Sequence, residues 1–366
     1  MTTTPQGHVE SLDLSDVIDA ATAGQPGPFV TIHLPSDPTG ATIDVVRRTF
    51  DAQLKDAAAQ LSANGASNAE VAAILDPVRE DVSDEIFWRQ QSRSLTVFCA
   101  DGFHRIIRVP VELTESVTVA ELPHLSPLAP VVEASGRCYV LALAKGKVRL
   151  FEADRNAIAE LPLGAIPEKF DDVVEAPERE LQGRSTGQDS VAFHGHADTA
   201  NGLTGEFLRA VSDGVEKELG TARSQPLVLA TVEENGPAFR TLCSYPAIAT
   251  EVIAGNPEHT GANELRSAAW QILDAARTEE EPGVRDNILT EVHRGRGSND
   301  LAEIARVAGE GRVADLYVPR DLSVLHTPDA SFLLDRALVE TMRTKGGVHT
   351  LGVLEAPEEA LATLRG

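Results

Sequence analysis

The pattern with the most direct chemical reading is Gly183-Arg184-Ser185-Thr186-Gly187, which fits the Gly-x-Ser-x-Gly turn of an activated serine nucleophile. That chemistry needs a buried strand feeding a strained turn, so that the hydroxyl stands exposed beneath a helix N-terminus. The residues before it, Pro177-Glu178-Arg179-Glu180-Leu181-Gln182, are too polar for a buried strand, and the match is read as coincidence. A second pattern, His194-Gly195-His196 with Asp189 and Asp198 nearby, holds two imidazoles at a spacing that lets them share a metal ion. The remaining ligands would have to converge from elsewhere. His-Gly-His in a glycine-rich polar stretch equally suits imidazoles that stack on bases or bond phosphates and 2′-hydroxyls. Neither a metal nor a cofactor is expected.

Other chemistries lack their residues. No Gly-x-x-x-x-Gly-Lys-Ser/Thr phosphate loop occurs, and Gly295-Arg296-Gly297 follows a predicted helix rather than a strand, which removes the dinucleotide fingerprint. A two-metal nuclease needs clustered carboxylates, and the strand Tyr139-Val140-Leu141-Ala142-Leu143-Ala144 carries none. Cys99, Cys138 and Cys243 are scattered and form no Cys-x-x-Cys pair, which suits buried thiols in a reducing compartment.

The charge balance narrows the partners. The 366 residues hold 32 Lys and Arg against 56 Asp and Glu, a net charge of −24. Loose binding to nucleic acid or anionic lipid through a diffuse positive field is thereby disfavoured, and DNA and membrane are not expected partners. Small basic spots remain at Arg47 with Arg48, and at Arg294 with Arg296. Each reads singly as ordinary surface charge, or as a local RNA contact made against an unfavourable background. The run Glu279-Glu280-Glu281 reads as a solvated loop, and Trp88 and Trp270 as packing residues. Residues 1–10 show no basic-then-apolar leader and no run of about 18 apolar residues exists, so a cytoplasmic location is expected.

The elements that must position these residues follow from periodicity. In the first third, residues 11–23 read as a helix and 29–34 as a strand; Ile43, Val46, Phe50, Leu54, Ala57 and Leu61 line one face of a long helix closed by Asn64-Gly65. A shorter helix around 71–78 precedes strands at 95–99 and 104–109, turned by Asp101-Gly102. In the middle third, strands at 138–144, 148–151 and 158–161 form an antiparallel meander. After it comes a polar stretch over 167–203, of a length that is usually functional or disordered in a compact domain. A helix over 204–219, a strand at 226–231 and a helix at 237–242 complete the order of a ribonuclease-H-like layer. The last third reads as helices at 263–277, 284–292, 300–308 and 332–342 with strands at 313–318 and 348–354, an α/β sandwich. The expected organisation is α/β in three domains: 1–132, 133–260 and 261–366.

Taken in order, Phe87-Trp88-Arg89-Gln90-Gln91-Ser92, Ser126-Pro127-Leu128-Ala129-Pro130, Cys138-Tyr139-Val140-Leu141-Ala142, Val148-Arg149-Leu150-Phe151, Phe193-His194-Gly195-His196, Pro226-Leu227-Val228-Leu229-Ala230, Gly255-Asn256-Pro257 and the closing Gly346-Gly347-Val348 resemble the bacterial archaeo-eukaryotic-type release-factor family, whose best-known class is the Balon-like ribosome hibernation factors. The resemblance implies a ribonuclease-H-like middle domain whose 183–205 segment reaches the peptidyl-transferase centre, and a release-factor-like C-terminal domain. In true release factors a Gly-Gly-Gln there positions water on the peptidyl-tRNA ester. This chain has Thr186-Gly187-Gln188 and no Gly-Gly-Gln. The resemblance therefore implies a factor that fills the vacant A site of the 70S ribosome without catalysis. Gly187, Gln188, Phe193, His194, Gly195 and His196 would form its rRNA-binding segment. Arg47, Arg48, Arg184, Arg294 and Arg296 would be further RNA contacts, and elongation factor Tu a second partner. A peptidyl-tRNA-hydrolysing release or rescue factor, or a stress-response scaffold without ribosome contact, are the other expectations.

Overall fold

In a computed structural model the described residues are 13–23, 27–133, 137–155, 157–173, 205–220, 225–354 and 358–366. They fall into two compact units, one drawn from 136–277 and the other from 10–135 together with 278–366. Among them no helix is long and apolar enough to cross a membrane.

The discontinuous unit opens with α1 (Ser15–Thr22), β1 (Phe29–Pro35), α2 (Ile43–Ala63), α3 (Asn68–Asp81), α4 (Glu85–Arg89), β2 (Ser94–Ala100), β3 (Phe103–Val109), β4 (Ser116–Ala120) and α5 (Ala129–Glu133). The strands make an antiparallel sheet in the order β3-β2-β1-β4. Alternation along β1 assigns its two faces. Val30, Ile32 and Leu34 pack with Val46, Phe50, Leu54, Leu61, Leu75 and Trp88 under α2 to α4, whereas Phe29 joins a different core on the other side. The predicted face of α2 is the buried one. The helix stops at Asn64, where Gly65 takes a φ of 94°, a conformation open to glycine at little cost.

The middle unit contains β5 (Cys138–Leu143), β6 (Val148–Ala153), β7 (Ile158–Leu161), α6 (Gly205–Leu219), β8 (Leu227–Thr231), α7 (Asn235–Leu242) and β9 (Ile248–Ala254), and it takes in the first part of α8 (Ala262–His293). Its sheet runs β7-β6-β5-β8-β9, with the first three strands antiparallel and β5, β8 and β9 parallel. Phe207, Leu208, Val211, Val215 and Leu219 of α6 cover one face with α7, and Leu265 and Ala269 of α8 the other. A meander followed by parallel strands, with helices on both faces, is the ribonuclease-H-like arrangement.

The chain then returns to the discontinuous unit through the rest of α8, β10 (Gly297–Ser298), α9 (Leu301–Gly309), β11 (Val313–Pro319), α10 (Pro328–Arg343), β12 (Gly347–Leu351) and β13 (Leu361–Leu364). The sheet order is β10-β13-β11-β12, β11 and β12 parallel and the other pairs antiparallel. Ile304, Val307, Ala308, Leu334, Ala337 and Leu338 of α9 and α10 lie on one face, and Ile288 of α8 with Leu351, Leu354 and Leu361 on the other. The C-terminal part is thus an α/β sandwich, and each third of the chain contributes one sheet of a mixed α/β architecture.

Several expected elements differ. The helices read at 263–277 and 284–292 are one helix, α8, which continues through Pro282. The acidic run is no solvated loop: Glu279, Glu280 and Glu281 lie within α8, and Glu281 is 2% exposed. Its carboxylate pairs with Arg320 and accepts the Gly352 backbone N–H at 2.8 Å. Pro282 removes only one intrahelical donor, and this tertiary pairing holds the adjacent turn in place. The final strand is β13 rather than a continuation of 348–354, and two strands add to the expected set: β4, which alternates as Ser116-Val117-Thr118-Val119-Ala120, and β9, which is only partly buried.

Gly214 lets α6 lie directly on the chain that follows β7. A Cβ there would come within 2.7 Å of Ile166 Cα and 2.8 Å of the Ala165 carbonyl oxygen, both backbone atoms. Gly214→Val is therefore expected to destabilise the middle unit by about 2 kcal/mol. Urea unfolding followed by Trp270 fluorescence in a Trp88→Phe background checks this.

Candidate functional site

In the middle unit the described chain stops at Val173 and resumes at Gly205, so Arg184, Gly187, Gln188, Phe193, His194, Gly195 and His196 lie outside the described residues, as do Ser185, Asp189 and Asp198. The flanking residues are well anchored. Residues 167–173 lie against the turn between β5 and β6, with the Phe170 N–H on the Lys145 carbonyl at 2.9 Å and the Val148 N–H on the Glu168 carbonyl at 2.6 Å. A single 3-10 turn follows (Phe170–Asp172), in which the Asp172 carboxylate accepts the Lys169 N–H at 3.1 Å. Phe170 meets Phe207, on the first turn of α6, with ring centroids 5.4 Å apart. The Lys145 ammonium sits 5.2 Å from the Phe170 centroid on the other side. Phe207 is fully buried, so the two points where the chain leaves and re-enters are pinned together at the carboxyl end of β5. In α/β sheets that end of the strands is where ligands and functional segments gather.

The basic spots fall in two different settings. Arg47 and Arg48 are exposed on the first turns of α2. Arg48 Nε donates to the Asp44 carbonyl at 3.1 Å, while Arg47 lines a cleft of about 350 Å³ together with Lys55, Arg79 and Asp51. The floor of that cleft includes Leu54, Val82 and the buried Trp88. Arg294 and Arg296 instead both hold Glu291, at 3.0 Å for Arg294 Nη1 and at 2.5 and 2.9 Å for Arg296 Nε and Nη2. The Arg296 hydrogen bonds, with help from Arg294, keep the Glu291 carboxyl below its usual range. Two cations on one carboxylate leave about one positive charge for an outside anion.

A third constellation went unnoticed in the sequence. Asp335, on α10, is 5% exposed and both of its carboxylate oxygens accept hydrogen bonds. Oδ1 accepts the backbone N–H groups of Leu125 at 2.9 Å and Ser126 at 2.8 Å, and also the Ser126 hydroxyl. Oδ2 accepts His124 Nδ1–H at 2.6 Å. The short helix that starts at Ser126 has no cap of its own, because Leu125 stands at the capping position. Asp335 supplies that cap from another element, satisfying N–H groups that the helix itself leaves open. The turn is tied on its other side to β1. The His124 N–H donates to Thr31 Oγ1 at 3.0 Å, and the His124 carbonyl lies 3.2 Å from Nε2 of the buried His33. The legible signal was a titratable residue in the midst of Phe29-Val30-Thr31-Ile32-His33-Leu34, and a carboxylate beside Leu333-Leu334 on an inward helix face.

The reactive groups among the described residues are turned inward. The Cys99 and Cys138 thiols are buried and pushed up to about 12 by loss of hydration, and Cys243 is raised for the same reason. Among the described residues no group of three or more His, Cys, Asp or Glu side chains is arranged to hold a metal ion.

Residues 137–312 match bacterial archaeo-eukaryotic release factor family 3, the family whose resemblance the residues carry. The segment is release-factor-like. No curated protein matches the sequence. Among solved structures the chain is similar to an archaeal Pelota described as ribosome-bound with ABCE1, at 12% identity over 98% of this chain and 95% of that one, TM-score 0.40. It is also similar to Dom34 of S. cerevisiae, described as a translation termination-like factor, at 12% identity over 74% and 72%, TM-score 0.36. The Pelota of Archaeoglobus fulgidus gives 13% identity over 74% and 79%, TM-score 0.35.

Removing the Asp335 carboxylate leaves two backbone donors, a hydroxyl and an imidazole without their acceptor. Asp335→Ala is expected to lower the stability of the discontinuous unit by about 3 kcal/mol. Trp88 fluorescence during urea unfolding, in a Trp270→Phe background, measures this, while the middle unit's transition, read from Trp270 in a Trp88→Phe background, is expected to stay in place.

Proposed function

Starting from the match of residues 137–312 to a release-factor family, we propose that this protein is a cytoplasmic ribosome hibernation factor that occupies the vacant A site and places its 183–205 segment at the peptidyl-transferase centre without hydrolysing peptidyl-tRNA. The observation that carries the reading is the coexistence of that match with a sequence that has no Gly-Gly-Gln. The chain has Gly187-Gln188 preceded by Thr186, so the double glycine that release chemistry requires beside the amide is missing. The pinned feet at Phe170 and Phe207 support the reading as well, since a segment projected toward a distant target needs a fixed base. Elongation factor Tu, the second partner that the family resemblance implies, belongs to the same proposal.

The net charge of −24 constrains how such a factor binds. General attraction to rRNA is absent, so affinity comes from local cations and from contacts with protein partners. Arg47, exposed beside Lys55 at a small cleft, is the better placed of the basic spots, because Arg294 and Arg296 share Glu291.

Sedimentation of lysate from starved cells tests the proposal. The protein is expected with 70S particles lacking A-site tRNA, and purified protein is expected to give no peptide release from stalled complexes. Arg47→Glu with Arg48→Glu is expected to weaken 70S binding about tenfold at moderate salt. Recovery only in the ribosome-free fraction would favour the scaffold reading, and release abolished by Gln188→Ala or His194→Ala would favour the hydrolase.

A further inference from the structure

We propose that the seam between the first sheet and α10 is a proton-operated clasp, in which acidification frees the 124–126 turn from Asp335 and loosens the last third of the chain from the first. The argument starts from how His33 is held. Its side chain is 0% exposed. Nε2 faces the His124 carbonyl at 3.2 Å, and a carbonyl only accepts, so Nε2 carries the proton. Nδ1 is then the bare nitrogen and accepts from the Thr96 hydroxyl at 2.9 Å. The neutral ring is thus satisfied at both ends. A second proton would go to Nδ1, turn the acceptor into a donor and reverse the Thr96 bond.

The surroundings give the added charge no direct partner. From β2 comes the Thr96 hydroxyl, and from β4 Ser116, which stands across the ladder from His33. From α2 comes Gln53, whose amide nitrogen donates to the His33 carbonyl at 3.1 Å and whose Oε1 makes no hydrogen bond. The titratable groups that face the ring are His124, with ring centroids 5.7 Å apart, and beyond it Asp335. Asp335 already receives His124 and the turn; it makes no hydrogen bond to His33, and its charge offsets only part of the burial. Burial, with His124 adding to it, holds the His33 imidazole down to about 4.

The sign follows from linkage. His33 is neutral in the closed seam, whereas an imidazole in water takes its proton near pH 6.5. The open state binds the proton first, so the closed seam loses ground as pH falls from about 6.5 toward 4, and nothing is gained above that window. Between pH 7 and pH 5 the opening equilibrium is expected to rise by about 20-fold. The effect is local because the groups that His33 contacts are the same ones that dock the turn: Thr31 and His33 on β1 hold His124, and His124 with its two neighbours holds Asp335.

Hydrogen exchange of the full chain at pH 7 and pH 5, corrected for the intrinsic chemical rate, tests the clasp. Peptides over 122–128 and 333–338 are expected to open about 20-fold more at pH 5, while peptides over 138–143 and 227–231 of the middle unit stay unchanged. The His33→Asn variant, without a titrating ring, is expected to lose the pH response. The response of the seam overturns the proposal if it persists undiminished in that variant, if it equals that of the middle unit, or if it is absent in the parent chain. Should His33→Asn fail to fold, the ring is titrated directly by NMR in the parent chain with labelled histidine. A midpoint near 4 supports the clasp, and one at 6 or above removes it.

Discussion

The carboxylate of Asp335 is the constraint on which the larger unit depends. It serves as the N-cap of a helix to which it is not connected locally, and it is bound by the turn that β1 holds from the opposite side. A cap made in this way does two things at once. It satisfies the open N–H groups at the start of the short helix, and it fixes α10 against the first sheet at one register. The hydrophobic contacts around it, from Phe29 and Phe98 on the sheet to Leu334 and Leu338 on α10, are not directional and would tolerate sliding. The carboxylate does not, because three backbone and side-chain donors and an imidazole converge on two oxygens. A buried charge with both oxygens engaged contributes orientation more surely than stability.

The middle unit is built on a different logic. Its parallel strands β5, β8 and β9 are covered on both faces and need no polar clasp. At the carboxyl end of β5, Lys145, Phe170 and Phe207 close the base of the segment between Val173 and Gly205. With a net charge of −24 the chain gains nothing from diffuse contact with nucleic acid.

How much of this was legible in the residues depended on the range of the interaction. Helical periodicity located α2 and α6 and the faces they bury, because Phe50, Leu54 and Leu61, or Phe207, Val211 and Val215, announce themselves within a few turns. The meander β5 to β7 was read from local alternation and its turns. What failed was non-local. Glu281 looked like solvated charge because its partner Arg320 is 39 residues away, and α8 looked broken because Pro282 is a breaker when judged alone. β13 is short and gains strand character only through β11 and β10 on either side. The Asp335 network was invisible for the same reason: an aspartate, a histidine and a serine acquire meaning only when folding brings them together.

The separation of 211 positions between His124 and Asp335 has a temporal side. A chain emerging at about 5–20 residues per second exposes the turn roughly 10–40 seconds before its carboxylate exists. During that interval the first sheet has one finished face, under α2 to α4, and another, bearing Phe29, Phe98 and Ile107, whose core still lacks Leu334 and Leu338 of α10. The middle unit, whose elements are contiguous up to Arg277, is free to complete itself first. The last unit to close is thus the one whose beginning was made earliest, and until α10 arrives the core on that side of the first sheet is incomplete.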